Sequence, residues 1–246
     1  MTTRRTEHAA ALRSLPDAEL RAYLTAHSGL PGPRANLELM AAAADVLTPA
    51  LALTLADDED EYLRCCGVVT LGRLVLEHPD DPALVDLLTA RAADPSWRVR
   101  EAAAMAGQRI GDGDPDRLVA LVRAWTDDRD PLVVRAGIAA ICEPRLLREG
   151  AMAAAALAAC SQATEHLRQV PSAHRRDADV RVLRQGLAYC WSVAVAADPV
   201  TGLPVFEALS RGPAGSGVAQ DGDIAWVVAQ NLRKKRLARL LDAPSS

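Results

Sequence analysis

Aromatic side chains are scarce here: four Trp, three Tyr and one Phe among 246 residues. Runs of alternating β-branched residues are nearly absent as well, so the period-2 pattern that builds half-buried strands is missing and a sheet-based fold is excluded. Cysteine is sparse. Cys65, Cys66, Cys142, Cys160 and Cys190 form an odd set without CxxC spacing, which points to a reduced, cytoplasmic setting with buried thiols. Cations do not outnumber acids (28 Lys and Arg against 32 Asp and Glu, net −4), so no global basic field marks the chain for nucleic acid, although a local basic strip stays open. Long apolar runs are missing too. The Ala-rich stretch 150–159 is too short for a bilayer and leads into Ser161, Gln162 and Glu165, and residues 1–15 carry Arg4 and Arg5 without an apolar signal segment. A soluble protein with no membrane partner is expected.

Signatures of catalysis are also wanting. The histidines at 8, 27, 78, 166 and 174 show no HExxH or metal-like grouping, and there is no GxSxG, phosphate-binding loop or dinucleotide fingerprint. The acids between Asp57 and Glu61 lack the glycine and terminal Glu of a calcium loop. Adjacent Cys65 and Cys66 sit in an apolar stretch and read as core. No metal and no cofactor are expected, and the chain reads as a binding protein rather than an enzyme.

What is present in quantity is Ala and Leu, within a half-hydrophobic composition that favours helices. The organising stretch is Asp94-Pro-Ser-Trp-Arg-Val-Arg-Glu-Ala-Ala-Ala-Met105. Asp94 has the acceptor side chain of an N-cap and Pro95 suits a first helical turn. Val99, Ala102, Ala103 and Ala106 share one face; Arg98, Arg100, Glu101 and Gln108 lie off it. The frame returns at Asp130-Pro-Leu-Val-Val-Arg-Ala-Gly-Ile-Ala-Ala, and more weakly from Asp58, Asp179 and Asp223.

Helices are predicted at 17–26, 35–47, 49–56, 61–77, 82–93, 95–110, 115–126, 131–142, 150–169, 177–197, after a turn at Pro199 and Gly202 to Ser210, and from Asp223 to Leu241. The connection 170–176 reads as polar and flexible, 211–217 as a linker, and 244–246 as a fraying end. Aligning the second helix of each pair on one apolar position gives Leu63, Val99, Val134, Leu183 and Val228, spaced by 36, 35, 49 and 45 residues. That is the size of an α-solenoid repeat, in which neighbours bury one another's faces. The pattern Asp-x-x-x-x-Val-Arg-x-x-Ala-Ala resembles the second helix of HEAT repeats, most closely at 94–106 and 130–141 and more loosely over 35–240. The resemblance implies an all-α, right-handed solenoid: about five helix pairs (35–77, 82–110, 115–142, 150–197, 202–241) in one domain with one core, preceded by a capping helix in 1–30. It says little about function, since such repeats serve many.

Candidate binding residues follow from that register. The residue after the aligned position is basic in four repeats, Arg64, Arg100, Arg135 and Arg184. In a solenoid these line the concave wall as a stripe for an anionic ligand or acidic peptide. Alternatively, as the resemblance to HEAT repeats suggests, each ties neighbouring repeats through the Asp of the preceding turn: Asp58, Asp94 and Asp223, with Asp130 and Asp179 displaced by one. Trp97 and Trp226 stand two residues before the aligned position, where Arg181 stands in another repeat, and either grip a partner or cap a seam. With Arg98 these form the proposed surface.

Secondary candidates are Arg34, Asn36 and Glu38 at the joint near Gly32, Arg145 after the Glu143-Pro144 break, and Asn231 and Lys234 in the C-terminal basic run, each with a plainer turn, bend or capping role. The chain is also similar in size and repeat type to bacterial HEAT-like alkylpurine DNA glycosylases. It departs from them in having no Trp-Trp-Asp cluster on a helix, since Trp125 is followed by a turn, so no catalytic acid is assigned. A protein or anionic partner is expected, with DNA repair, or completion of another enzyme's active site, as alternatives.

Overall fold

The computed structural model describes residues 3–211 and 221–241. The residues 212–217 of the linker-like stretch, and the fraying end at 244–246, lie outside them. Among the described residues the chain is all helical. It divides into two compact units, Met1–Asp114 and Pro115–Ser246, where the repeat pattern expects one domain.

The first unit holds α1 (Thr3–Ser14), α2 (Asp17–Ala26), α3 (Leu37–Val46), α4 (Pro49–Ala56), α5 (Glu61–Glu77), α6 (Pro82–Ala92) and α7 (Trp97–Gly113). The polar and proline residues that punctuate the sequence begin these helices. Thr48, Asp60, Asp81 and Ser96 each accept a hydrogen bond from a backbone N–H of the helix that follows, and Pro49 and Pro82 occupy first turns, where no N–H is needed. One expectation is corrected. Ser96, not Asp94, caps α7; Asp94 instead accepts from Ser96 N at 2.8 Å, folding the turn ahead of the helix. Asp58 does the same for Asp60 N at 2.9 Å.

Helix α4 pairs with α5 and α6 with α7, while α3, α5 and α7 pack successively side by side. The chain approaches itself most closely at two glycines of α5. A Cβ on Gly67 would stand 2.2 Å from Ala56 N, and one on Gly72 would stand 2.4 Å from Ala106 O. Small residues on both sides let the helix backbones touch, so a dense interior is reached without bulky side chains.

The second unit holds α8 (Pro115–Thr126), α9 (Pro131–Ile141), α10 (Gly150–Gln169), a short 3₁₀ turn (Ser172–His174), α11 (Ala178–Ala197), α12 (Pro199–Arg211), α13 (Gly222–Leu232) and α14 (Lys235–Leu241). Here α8 pairs with α9, α10 with α11 and α12 with α13, and α9, α11 and α13 stack in turn. The repeats therefore form an α-solenoid arrangement within each unit. Trp191 fills the core, its Nε1 donating to Thr164 Oγ1 at 3.0 Å and its ring tilted against Phe206.

Two expectations change in this unit. The final helix is not continuous to Leu241 but breaks between Leu232 and Lys235. The 170–176 connection is pinned: Arg175 donates to Val170 O (2.9 Å), Arg168 O (2.8 Å) and Asp221 Oδ1 (3.0 Å). No helix of the described residues is long and apolar enough to cross a membrane.

Replacing Gly67 by Ala should lower stability by about 2–3 kcal/mol, because a methyl group driven into Ala56 backbone outweighs the roughly 1 kcal/mol helix-propensity gain. Gly150→Ala, where a Cβ would meet nothing within 4 Å, should not. Thermal unfolding followed by circular dichroism compares the two.

Candidate functional site

The basic residues after the aligned positions fall into distinct roles. Arg64 Nε lies 3.1 Å from Asp94 Oδ2, one repeat further along, and its Nη1 donates to the carbonyls of Asp58 and Glu59. Arg91 Nη1 stands 3.6 Å from the same carboxylate, and Asp94 is only 3% exposed. In the second unit Arg184 Nη1 donates to Asp223 Oδ1 at 2.5 Å, and Arg175 Nη1 lies 3.1 Å from Asp223 Oδ2. Arg64 and Arg184 thus tie repeats through a carboxylate of the following repeat, not of the preceding turn, and Asp223 lies in the first turn of α13 rather than ahead of it. Arg100 holds its own turn, donating to Asp94 O (2.6 Å) and Pro95 O (2.9 Å). The chain of Arg135 lies against Gly186, where an added Cβ would come within 3.0 Å of its Cγ. Arg181 is exposed on α11.

The aromatic candidates differ. Trp97 is the first residue of α7 and 56% exposed. The Arg98 guanidinium stacks over its ring at 4.7 Å from the centroid and donates to Glu61 Oε2 at 3.0 Å; Ser96 Oγ donates to the other Glu61 oxygen. An exposed indole is thus backed by a braced cation. Trp226 sits in the second turn of α13 rather than at its start, half-buried beneath Arg184 at 4.6 Å. The structure brings Trp97 together with Arg98, and Trp226 with Arg184.

Among the secondary candidates, Asn36 has a structural part. Its Oδ1 caps α3 through Leu39 N (3.0 Å), its Nδ2 donates to His27 O (3.0 Å), and its carbonyl accepts from Tyr62 Oη (2.7 Å). Asn231 is fully buried. Its Oδ1 accepts from Ser192 N (2.8 Å), and its Nδ2 donates to Leu187 O (3.0 Å) and Val227 O (2.8 Å), joining α13 to α11. Arg34 is exposed, Glu38 half-buried, and Arg145 lies 3.4 Å from Glu143. Lys234 stands over the Tyr189 ring, which Arg236 also covers while donating to its hydroxyl at 3.0 Å.

Two polar centres lie outside the sequence candidates. Asp45 accepts from Arg5 (2.6–2.9 Å) and from Arg109 (2.8 Å), and Arg73 donates to Ala44 O at 3.0 Å and to Leu47 O at the end of α3. A lone acid in the apolar run Met40–Val46 was the available signal. Arg175 offered none, because its carboxylates lie 46 and 48 residues away.

Chemically these groups bind and brace. Burial pushes the Cys65 thiol up to about 12 and Cys66 well above its usual value, so neither supplies a thiolate nucleophile at neutral pH. Among the described residues no group of three or more His, Cys, Asp or Glu is placed to hold a metal ion.

Residues 48–142 match the family model described as HEAT repeats, the stretch that runs from α4 to α9. This stretch of the chain is built of HEAT repeats. Among solved structures it is similar to a designed armadillo repeat protein in complex with the peptide (KR)4, at 15% identity and a TM-score of 0.38, covering 96% of this chain and 100% of that one. No curated protein matches.

Loss of the Asp94 carboxylate in Asp94→Ala should cost about 3 kcal/mol, because it strips the mostly buried Arg64 guanidinium of its counter-charge and unpins the turn at Ser96, while Arg91 keeps Asp57; chemical denaturation measures it. Acid should act through Asp45 and Asp223. For both, burial pushes the pKa up, but Arg109 and Arg5 on one, and Arg184 and Arg175 on the other, hold it below the ordinary value. A depressed folded-state pKa contributes stability above the unfolded value and loses it as pH falls through the folded one. The melting temperature should therefore drop as pH falls below about 4, with a shallower drop in Asp45→Asn than in the parent chain.

Proposed function

We propose that the chain is a protein-binding repeat scaffold and that Trp97, braced by Arg98 and Glu61, is its principal contact, with Trp226, Arg100, Arg135 and Arg181 as further contacts on their own helices. The observation that carries this is the exposed indole at the mouth of a helix whose neighbouring charges are already fixed. A large apolar ring left 56% exposed costs hydration free energy, and held rigidly it provides contact area with little ordering entropy on binding. A protein partner is favoured over a polyanion because Arg64, Arg98 and Arg184 are engaged by Asp94, Glu61 and Asp223. An anion would have to compete with those carboxylates, in a chain of net charge −4.

Affinity capture with immobilised protein, scored against the Trp97→Ala variant, tests the reading. The partner should be retained by the parent chain and weakened about tenfold by the substitution, with the melting curve unchanged. Fluorescence anisotropy of labelled duplex DNA, intact and carrying an abasic-site analogue, should show no binding at low salt. Salt-sensitive binding that prefers the lesion would replace this reading with DNA repair.

A further inference from the structure

The second unit contains a furrow between α8 and α10 that plays no part in the Trp97 surface. Its first section encloses about 440 Å³ over a floor of Val119, Val122, Ile141, Ala155 and Ala159, with Ala158 on its edge. Its second section, about 340 Å³, continues along the same face of α10 and shares Thr126, Asp127 and Gln162 with the first. From Ala155 to Gln169 the furrow follows α10 for roughly 21 Å at 1.5 Å per residue.

The furrow runs along the alanine-rich opening of α10, where Ala155, Ala158 and Ala159 line it with short side chains. Its two sections differ in character. The first is mostly aliphatic, with Arg123 on its rim; the second is walled by Asp127, Asp128 and Glu165 against Arg129 and His166. Glu165 is shared with Arg168 at 3.5 Å and with Gln169, and Asp128 accepts from Asp130 N. No hydrogen bond or ion pair among the described residues engages the side chains of Arg123, Asp127 or Gln162, all exposed along the rim.

We propose that this furrow is a docking site for a helical segment of a partner protein, one with a stripe of small and aliphatic residues followed by Lys or Arg. Helical conformation follows from the walls. Along the first section both are helices whose backbone groups are paired internally, so an extended segment would enter there with its N–H and C=O groups unmatched, whereas a helix brings its own bonds. The alanine floor lets a partner backbone approach closely, and apolar side chains there cover Val119, Ala155 and Ala158, which are left partly open. The basic residue is required by the far section, where a cation reaches the unengaged Asp127 carboxylate and lies beside Asp128 and Glu165. The site is independent of the proposed contact at Trp97.

The test uses the full chain and a fluorescein-labelled model helix of about 16 residues, four turns and more to match the furrow, with an Ala/Leu stripe and Lys at both ends. A second peptide differs only in having Glu at the ends. Fluorescence anisotropy should show saturable binding of the Lys peptide, at least about tenfold weaker for the Glu peptide. Ala158→Trp, which fills the furrow from an exposed position, should weaken the Lys peptide by a similar factor, and Asp127→Lys should invert the preference; Trp97→Ala should change nothing. Circular dichroism establishes that each variant is folded, and Asp127→Lys, in an exposed turn, decides alone if Ala158→Trp disturbs the helix. Equal binding of both peptides, indifference to the Asp127 change, dependence on Trp97, or no saturable binding would each overturn the proposal.

Discussion

Asp94 holds a negative charge that water scarcely reaches, and the first unit is arranged around keeping that charge satisfied. A carboxylate in such a position is tolerable only if its lone pairs are occupied and a cation stands close. One oxygen accepts from Ser96 N and so shapes the turn into α7; the other faces Arg64 on α5 and Arg91 on α6. A single residue thereby sets a turn and joins three helices. In the second unit the two parts are divided: Asp223 pairs with Arg184 and Arg175, while Asp221 accepts from Asp223 N and shapes the start of α13. Because truncating either partner leaves the other charge stranded, such a tie specifies which turn follows which helix more than it adds net stability.

The remaining constraint is steric. A helix pair rich in Ala and Leu cannot cover its apolar faces alone, so burial comes from stacking on the next pair. With so few aromatic residues, density depends on close backbone approach, which Gly67 and Gly72 permit by lacking a side chain where Ala56 and Ala106 stand. The same reliance on small residues has an opposite consequence at α10. Where Ala155, Ala158 and Ala159 line α10, short side chains leave a furrow beside α8 although the two helices touch.

How far this was legible in the sequence depended on the range of the interaction. Helices begin where Asp, Ser, Thr and Pro punctuate the chain, because capping is settled within three residues, and the helical content followed from that. The cap of α7 was misplaced by two residues because Asp94 and Ser96 are both good acceptors. Only the position of Arg64, thirty residues earlier, shows that Asp94 is spent on a turn and a tie. The break after Leu232 was hidden by the cations at 233–236, which favour helix and carry no stop signal. Trp97 could be singled out because it stood off the apolar register of its repeat, whereas Trp125 and Trp191, on register, are buried. The furrow could not be read at all, since a void is defined by side chains that are missing from two helices at once.

That arginines recur at one register therefore does not in itself describe a binding surface. Where the partner carboxylate is nearly buried, as at Asp94, releasing the arginine for a ligand would leave that carboxylate uncompensated in a poorly hydrated place, a cost that a ligand phosphate would first have to offset. Where the partner is more open, as at Glu61, the arginine is still engaged, but what it braces is an indole facing solvent. Repetition of a charge thus marks the joints of the stack, and the residues that break the repeat, Trp97 in place of Glu61 or Leu132, mark where the surface departs from what stacking alone requires. Selection for stacking would refill that position with a residue that caps or packs. On the reading proposed above, a ring held out on a fixed cation serves contact with something outside the chain.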